Sequence, residues 1–469
     1  MKKTVVWGLV LMVALSMSMI SGCTESHVEE DVAIGIVESE RRPYDENSIR
    51  FTKDKVNLYS EKSNESDILG ELIKFSKLEL IETEDEGEAL WSLVHYAVGN
   101  EFVEGYVSSD QIIKNIGQDF RKGYTDLDYM PKHKVENYTN NPRQQVRALY
   151  VSLNSAVGNI DKYIQIANDT KVNAFVIDVK NDLGYTLFEM EVAEKFSPMA
   201  NKGPKIKDIE QFMQKLKENE IYTIARVVTF KDTLYAQNFP ERGTVYRDSG
   251  ALYQSRDKLY WGSPYDRQFW EYNIEIAKVA ADVGFNEIQF DYVRFPDATA
   301  STNAKLNFRN ELDETKAECI QNFLKEAYEV ISEKEVYVAA DLFGLVGTVA
   351  DDMGIGQHWE SISNVIDFVC PMMYPSHYGK YNYGLPVPDQ FPYETVYYST
   401  EDSIERNMNI ATPAAIRPWI QDFTATWVPG YIRYGDAELL AQIKALEDLD
   451  IHEYMLWNAG NNYHTNALK

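Results

Sequence analysis

The chain has 469 residues, about three times the length of a typical domain, so a single core does not account for it. With 44% hydrophobic and 25% charged residues it has the make-up of a soluble globular protein, which excludes extended disorder and a polytopic membrane protein. Its 46 basic against 73 acidic residues leave a net charge of -27, which repels phosphate backbones and anionic bilayer faces and argues against nucleic acid as a partner.

Met1-Lys2-Lys3 opens the chain, an apolar run follows from Thr4 to Ile20, and Ser21-Gly22-Cys23 closes it. A basic start, a short apolar middle and small residues describe an export signal over 1–22, with an uncleaved membrane anchor as the alternative. Ile20-Ser21-Gly22-Cys23 resembles the lipobox of bacterial lipoproteins. The resemblance implies cleavage before Cys23 and its lipidation, which puts the folded part on the outer face of the cytoplasmic membrane. Loss of Lys2 and Lys3 with the leader makes the mature chain two charges more negative. Residues 23–46, with Glu25, Glu29, Glu30, Asp31, Glu38 and Glu40 and no periodicity, read as an acidic tether. Cys319 and Cys370 stand in apolar contexts and read as buried free thiols, a single bridge being the alternative.

Over 47–116 short alternating runs are separated by turn residues, which predicts a small all-β barrel or sandwich. The runs are Val56–Tyr59, Ile68–Leu72, Leu78–Ile81, Trp91–Val94 and Gly105–Val107. The Val56-Asn57-Leu58 opening, Leu69-Gly70, Trp91 and Gly105-Tyr106-Val107 resemble a bacterial SH3-like domain, with Tyr106 where that family usually has Trp. The resemblance implies a targeting role toward cell-wall peptide or glycan; a packing module without a ligand is the alternative. Residues 117–144 are a polar connector.

From 145 to 469 strand-like apolar runs alternate with helix-length amphipathic segments, and eight such units are the number that closes a (β/α)8 TIM barrel. The predicted strands are 146–153, 174–179, 222–228, 287–292, 336–341, 365–373, 411–420 and 453–457. Predicted helices include 207–219, 267–283, 311–332 and 436–448. Segments 229–265 and 374–398 read as enlarged βα loops, since the stretch exceeds the roughly 250 residues usual for this fold.

Active sites of such barrels lie at the C-terminal ends of the strands, which selects Asp178, Asp291 and Asp341, each at the close of an apolar run. The Ile177-Asp178-Val179-Lys180 strand, Phe290-Asp291-Tyr292-Val293-Arg294-Phe295-Pro296, Met372-Met373-Tyr374-Pro375 and Leu456-Trp457-Asn458 resemble a family of bacterial glycoside-hydrolase TIM barrels. The resemblance covers nearly all of 145–469 and implies hydrolysis of a glycosidic bond in an extracellular polysaccharide. Chitinase-like chemistry is disfavoured, because aligning on Asp291 places Val293 where those enzymes carry their acid Glu.

Glycoside hydrolysis needs two carboxyl groups across the scissile bond. Asp291 is the candidate nucleophile, with Arg294 near enough in sequence to keep it ionised, and Asp341 the candidate general acid, its pKa raised by an apolar strand. A retaining mechanism with carboxyl groups about 5 to 5.5 Å apart is the expectation. Candidate substrate contacts are Tyr292, Tyr374, Trp419 and Trp457, whose rings can stack on a pyranose, and Arg226, Arg294 and Arg417, which can bind hydroxyl or carboxylate groups. Asp178 either joins them, paired with Lys180 or Arg226, or fixes the rim. His358 and His377 lack the spacing of a zinc site, Asp351-Asp352 lacks that of an EF-hand, and no phosphate loop or serine elbow is present, so no cofactor or metal is expected. A rival reading is a carbohydrate-binding or scaffold lipoprotein that kept the barrel without turnover; a wall deacetylase would need a metal constellation that the sequence does not offer.

Overall fold

The computed structural model describes residues 48–72, 76–84, 91–98, 101–113 and 123–469. The export signal, Cys23 and the acidic tether lie outside the described residues.

The N-terminal module is a seven-stranded antiparallel sheet made of Ile49–Thr52, Val56–Tyr59, Ile68–Leu72, Lys77–Glu84, Trp91–Val98, Glu101–Ser108 and Ile112–Ile113. Leu58, Leu72, Leu78, Val94, Val107 and Ile112 form its core. The alternation predicted five of these strands; the opening and closing ones were missed, being short segments that pair with each other. Gly105 is required by close approach, since a Cβ there would lie 2.7 Å from Leu58 Cγ and 2.9 Å from the Tyr59 carbonyl oxygen. Ile49, Phe51 and Ile113 pack on Ile404 and Met408 of the large domain.

The large domain closes eight parallel strands into a barrel. Strands one to six are Arg147–Val151, Ala174–Lys180, Tyr222–Val228, Glu287–Asp291, Tyr337–Phe343 and Phe368–Met372. The seventh is broken into Ala415–Ile416 and Trp419–Gln421 around Pro418, which has no N–H to give the ladder, and the eighth, Tyr454–Trp457, pairs back onto the first. Alternation along each strand sorts the side chains into two cores. Ala148, Tyr150, Ala174, Val176, Tyr222, Ile224, Tyr337, Ala339, Phe368, Cys370, Trp419 and Met455 fill the barrel interior. Their neighbours Leu149, Phe175, Ile177, Ala225, Val227, Ile288, Phe290, Val338 and Ala340 face the helices.

Side-chain caps set where the helices begin. Ser152, Asp208, Asp266 and Thr315 each accept a hydrogen bond from a backbone N–H in the first turn of Leu153–Asp169, Ile209–Glu218, Arg267–Asp282 and Lys316–Ser332. The last of these starts later than the predicted 311, because Thr315 and Glu318 make a capping box. The segment predicted as a loop over 374–398 already contains the start of the helix Pro392–Asn407, while in 229–265 Val245–Tyr246 pairs with Leu306–Asn307 and ties the loop after strand three to the loop after strand four. Cys319 and Cys370 are buried and free.

Residues 123–144 are not a loose connector. Tyr138 joins the barrel's inner core, its ring 4.9 Å from that of Tyr337, and Asn141 donates to the Asn286 and Glu335 carbonyls at 2.7 and 2.9 Å. This segment therefore plugs the N-terminal end of the barrel and leaves the C-terminal end open.

Candidate active site

The open end holds a cleft of about 210 Å³ lined by Arg226, Asp291, Tyr292, Arg294, Asp341, Phe343, Gly344, Leu345, Met372, Tyr374, His377, Tyr378, Trp419 and Trp457. That volume is below the ~300–1,000 Å³ of a pocket that encloses a whole small ligand, so it accepts one ring-sized group and leaves the rest of a larger molecule outside.

Arg226, ending strand three, organises the floor. Its Nε and Nη2 donate to Asp291 Oδ2 at 2.9 and 2.5 Å, and its Nη1 donates to Asp178 Oδ1 at 2.5 Å. Tyr150 OH donates to the other oxygen of Asp178 at 2.7 Å, and the Tyr150 ring stacks on Trp457 with centroids 4.2 Å apart. Asp178 thus sits behind Arg226 and holds it, outside the lining of the cleft. Asp291 Oδ1 accepts from the Tyr292 N–H at 2.5 Å, and Tyr292 adopts a φ of 47°, a left-handed conformation costly for an aromatic residue.

Asp341 differs in kind. It is buried, and Trp419 Nε1 donates to its Oδ1 at 2.7 Å. Burial first and the neighbouring Asp291 carboxylate second push its pKa well above the usual carboxylate range, against the smaller opposing effects of the Trp419 hydrogen bond and the Arg226 charge. Strands four and five run in register, Phe290 beside Ala340, so the two aspartates that follow occupy adjacent strands at one level. Adjacent strands lie about 4.7–4.9 Å apart.

Three sequence expectations need correction. Lys180 does not face the cleft: its side chain is fully buried, with Nζ 2.8 Å from Asp232 Oδ2 and above the rings of Phe269 and Tyr272. A bulge puts Arg226 opposite Asp178 but Val227 opposite Lys180, so Val179 and Lys180 both turn toward the helices. Arg417 lies at the closed end, donating to both oxygens of Glu287 and to Glu453. Arg294 lines the cleft but does not pair with Asp291; it donates to the Phe295 carbonyl at 3.0 Å and lies near the rings of Tyr292 and Trp261, and Arg226 takes the role expected of it.

A family profile described as DUF4015, putative glycosyl hydrolase domain, matches residues 148–463, more than half of the chain. The chain belongs to this family. Its barrel is a glycosyl hydrolase domain, and the cleft lies at the strand ends, the end at which barrels of this fold carry their active sites. No curated protein matches it. Among solved structures, a hypothetical protein from Ruminiclostridium thermocellum ATCC 27405 is 30% identical, covering 44% of this chain and 98% of that one with a TM-score of 0.36. The PgaB (BpsB) glycoside hydrolase domain from Bordetella bronchiseptica is 14% identical, covering 69% of this chain and 98% of that one, with a TM-score of 0.48. The spore cortex-lytic enzyme SleL from Bacillus megaterium QM B1551 is 13% identical over 70% of this chain and 74% of that one, with a TM-score of 0.41.

Two residues in and behind the cleft were not singled out from the sequence as substrate contacts. Tyr150, which holds Asp178 behind the cleft, was legible as the last inward position of strand one. His377, considered only as a metal ligand, lines the cleft with Nδ1 3.0 Å from Ser376 Oγ, and burial lowers its pKa. Gly344 lets the cleft wall approach strand six: a Cβ there would stand 2.3 Å from the Met372 carbonyl oxygen. Val293, which stands where chitinases carry their acid, is buried among the residues that face the helices.

Proposed function

We propose that the protein is a retaining glycoside hydrolase acting on an extracellular or cell-wall polysaccharide, with Asp291 as nucleophile and Asp341 as general acid and base. The observation that carries this reading is the inequality of the two carboxyls: Asp291 is held by Arg226, whereas Asp341 is buried beside it with an indole N–H as its hydrogen-bond donor. A carboxylate held by a guanidinium beside a carboxyl that favours its proton is the division of labour that glycoside hydrolysis requires, and their place at one level on adjacent strands suits the short spacing of retention. In the first step Asp291 attacks the anomeric carbon, the glycosidic C–O bond breaks, and the Asp341 proton passes to the departing oxygen. In the second, Asp341 takes a proton from water as that water's oxygen bonds to the anomeric carbon and Asp291 leaves. Arg226 fixes the nucleophile, Asp178 and Tyr150 fix Arg226, and Tyr292, Tyr374, Trp419 and Trp457 supply ring faces around the sugar.

In this reading Cys23 carries the lipid that anchors the mature chain to the outside of the membrane, the acidic tether spaces it from the surface, and the N-terminal module, as an SH3-like domain, directs it to cell-wall peptide or glycan. Release of reducing ends from a panel of wall and exopolysaccharide substrates tests the chemistry. The parent releases them, and Asp291→Ala and Asp341→Ala lower the rate by at least about a hundredfold. Glycan binding by a parent that turns over none of the panel contradicts the proposal in favour of a binding protein.

A further inference from the structure

We infer that Phe423 and Trp427 form a second sugar platform that continues the cleft outward, so that the substrate is an extended glycan chain rather than a terminal sugar; this rests on the glycoside-hydrolase reading above. Tyr374 and His377 line the cleft. The Phe423 ring meets Tyr374 edge-on at 6.0 Å and His377 at 6.4 Å, and Trp427 stacks over Phe423 with centroids 5.9 Å apart and planes 18° apart. These rings form a continuous row from the cleft to the surface, where Trp427 is 64% exposed. Single exposed aromatic residues are common on protein surfaces. This one is continuous with the cleft and is presented by a loop that is pinned at its base.

The pin is Asp389, a buried side chain. It accepts from Gln421 Nε2 at 3.1 Å and from the Ile432 N–H at 3.2 Å, while its carbonyl accepts from Tyr434 OH at 3.1 Å. Gln421 also donates to the Phe423 carbonyl at 3.0 Å, and Gln390 Nε2 donates to the Gly430 carbonyl at 2.6 Å. Both arms of the loop that carries Trp427 are therefore fixed to the segment after strand six, and the indole is held out at low entropic cost to binding. The outer indole face in that position suits the C–H face of a pyranose. The cleft accepts about one ring by volume, so a chain bound there must continue outward, and the Tyr374, Phe423 and Trp427 row is the path that the structure assigns to it.

The full chain and its Trp427→Ala and Trp427→Phe variants test this. Each is assayed by reducing-end release on laminarin, xylan, soluble chitosan and peptidoglycan glycan strands, and on the di- and trisaccharides of whichever polymer the parent cleaves. The expected result is a KM on the polymer raised about tenfold by Trp427→Ala, with kcat within about twofold of the parent, no change on the short fragments, and recovery of most of the loss in Trp427→Phe. A polymer-to-fragment KM ratio that is the same in the parent and Trp427→Ala overturns the platform and leaves the hydrolase reading standing. Absence of parental turnover across the panel overturns both.

Discussion

At the closed end of the barrel, Glu287 of strand four is buried with both oxygens taken by Arg417, which also pairs with Glu453, itself 3.1 Å from Arg143. At the open end of the same strand, Asp291 is buried with Arg226, which also holds Asp178. Each arrangement joins carboxylates to a guanidinium inside one barrel. The difference is the charge count. Below, two carboxylates meet two arginines and neutralise; above, Asp178, Asp291 and Asp341 share Arg226. Burial raises the pKa of Asp178 and of Glu287 as well, but Asp341, buried, facing the Asp291 carboxylate and with no cation among its hydrogen-bond partners, is pushed well above the usual carboxylate range. Balanced pairing builds a rigid floor, whereas imbalance leaves a proton available for chemistry.

The comparison breaks most readily at Asp341 and Glu287. Asp341→Asn is expected to lower kcat on polysaccharide by about 10²–10⁴-fold, because the proton that the leaving oxygen needs is gone. The matched change below, Glu287→Gln, leaves kcat/KM within a few-fold but destabilises the fold by about 3 kcal/mol or more, since Arg417 is left buried with half its compensation. Reducing-end assays and chemical denaturation on both variants check the split. A large loss of turnover in a stably folded Glu287→Gln erases the distinction between the two ends.

Asp178→Asn sharpens it. Asp178 touches Arg226 rather than the cleft, so the expected effect is a fall in kcat of about tenfold with KM little changed, read from full saturation curves. The smallest effect is on stability and follows from the raised pKa of Asp341. The native state holds this proton more tightly than the unfolded chain, so the contribution of Asp341 is fully present below the unfolded value near 3.8 and is lost as pH rises through the native value. Asp341→Asn removes that dependence. Its Tm is therefore expected to exceed the parent's by a few degrees at neutral pH, with the margin shrinking toward acid, as thermal melts across a pH series will show.

Much of this was legible in the sequence. Eight apolar runs located the barrel strands, and the strand-end rule drew Asp178, Asp291, Asp341 and Arg226 into one place without any knowledge of distance. What was not legible depended on departures from regular alternation or on partners far away in the chain. A bulge at Val179 turned Lys180 to the outside, and one inward position below Trp419 placed Arg417 deep in the barrel beside Glu287, 130 residues away. The nearest arginine in sequence, Arg294, was preferred over Arg226, although neighbouring strands bring residues 65 apart into contact. The plug at 123–144 was hidden because its few inward side chains, among them Tyr138, are dispersed among polar residues that face outward.

In the proposed mechanism two neighbouring, unequal carboxyls carry out hydrolysis by double displacement. Proton NMR of the first product released from the best polysaccharide of the panel, recorded before mutarotation, reads this directly. The new reducing end is expected to keep the anomeric configuration of the bond cleaved; an inverted first product would contradict double displacement.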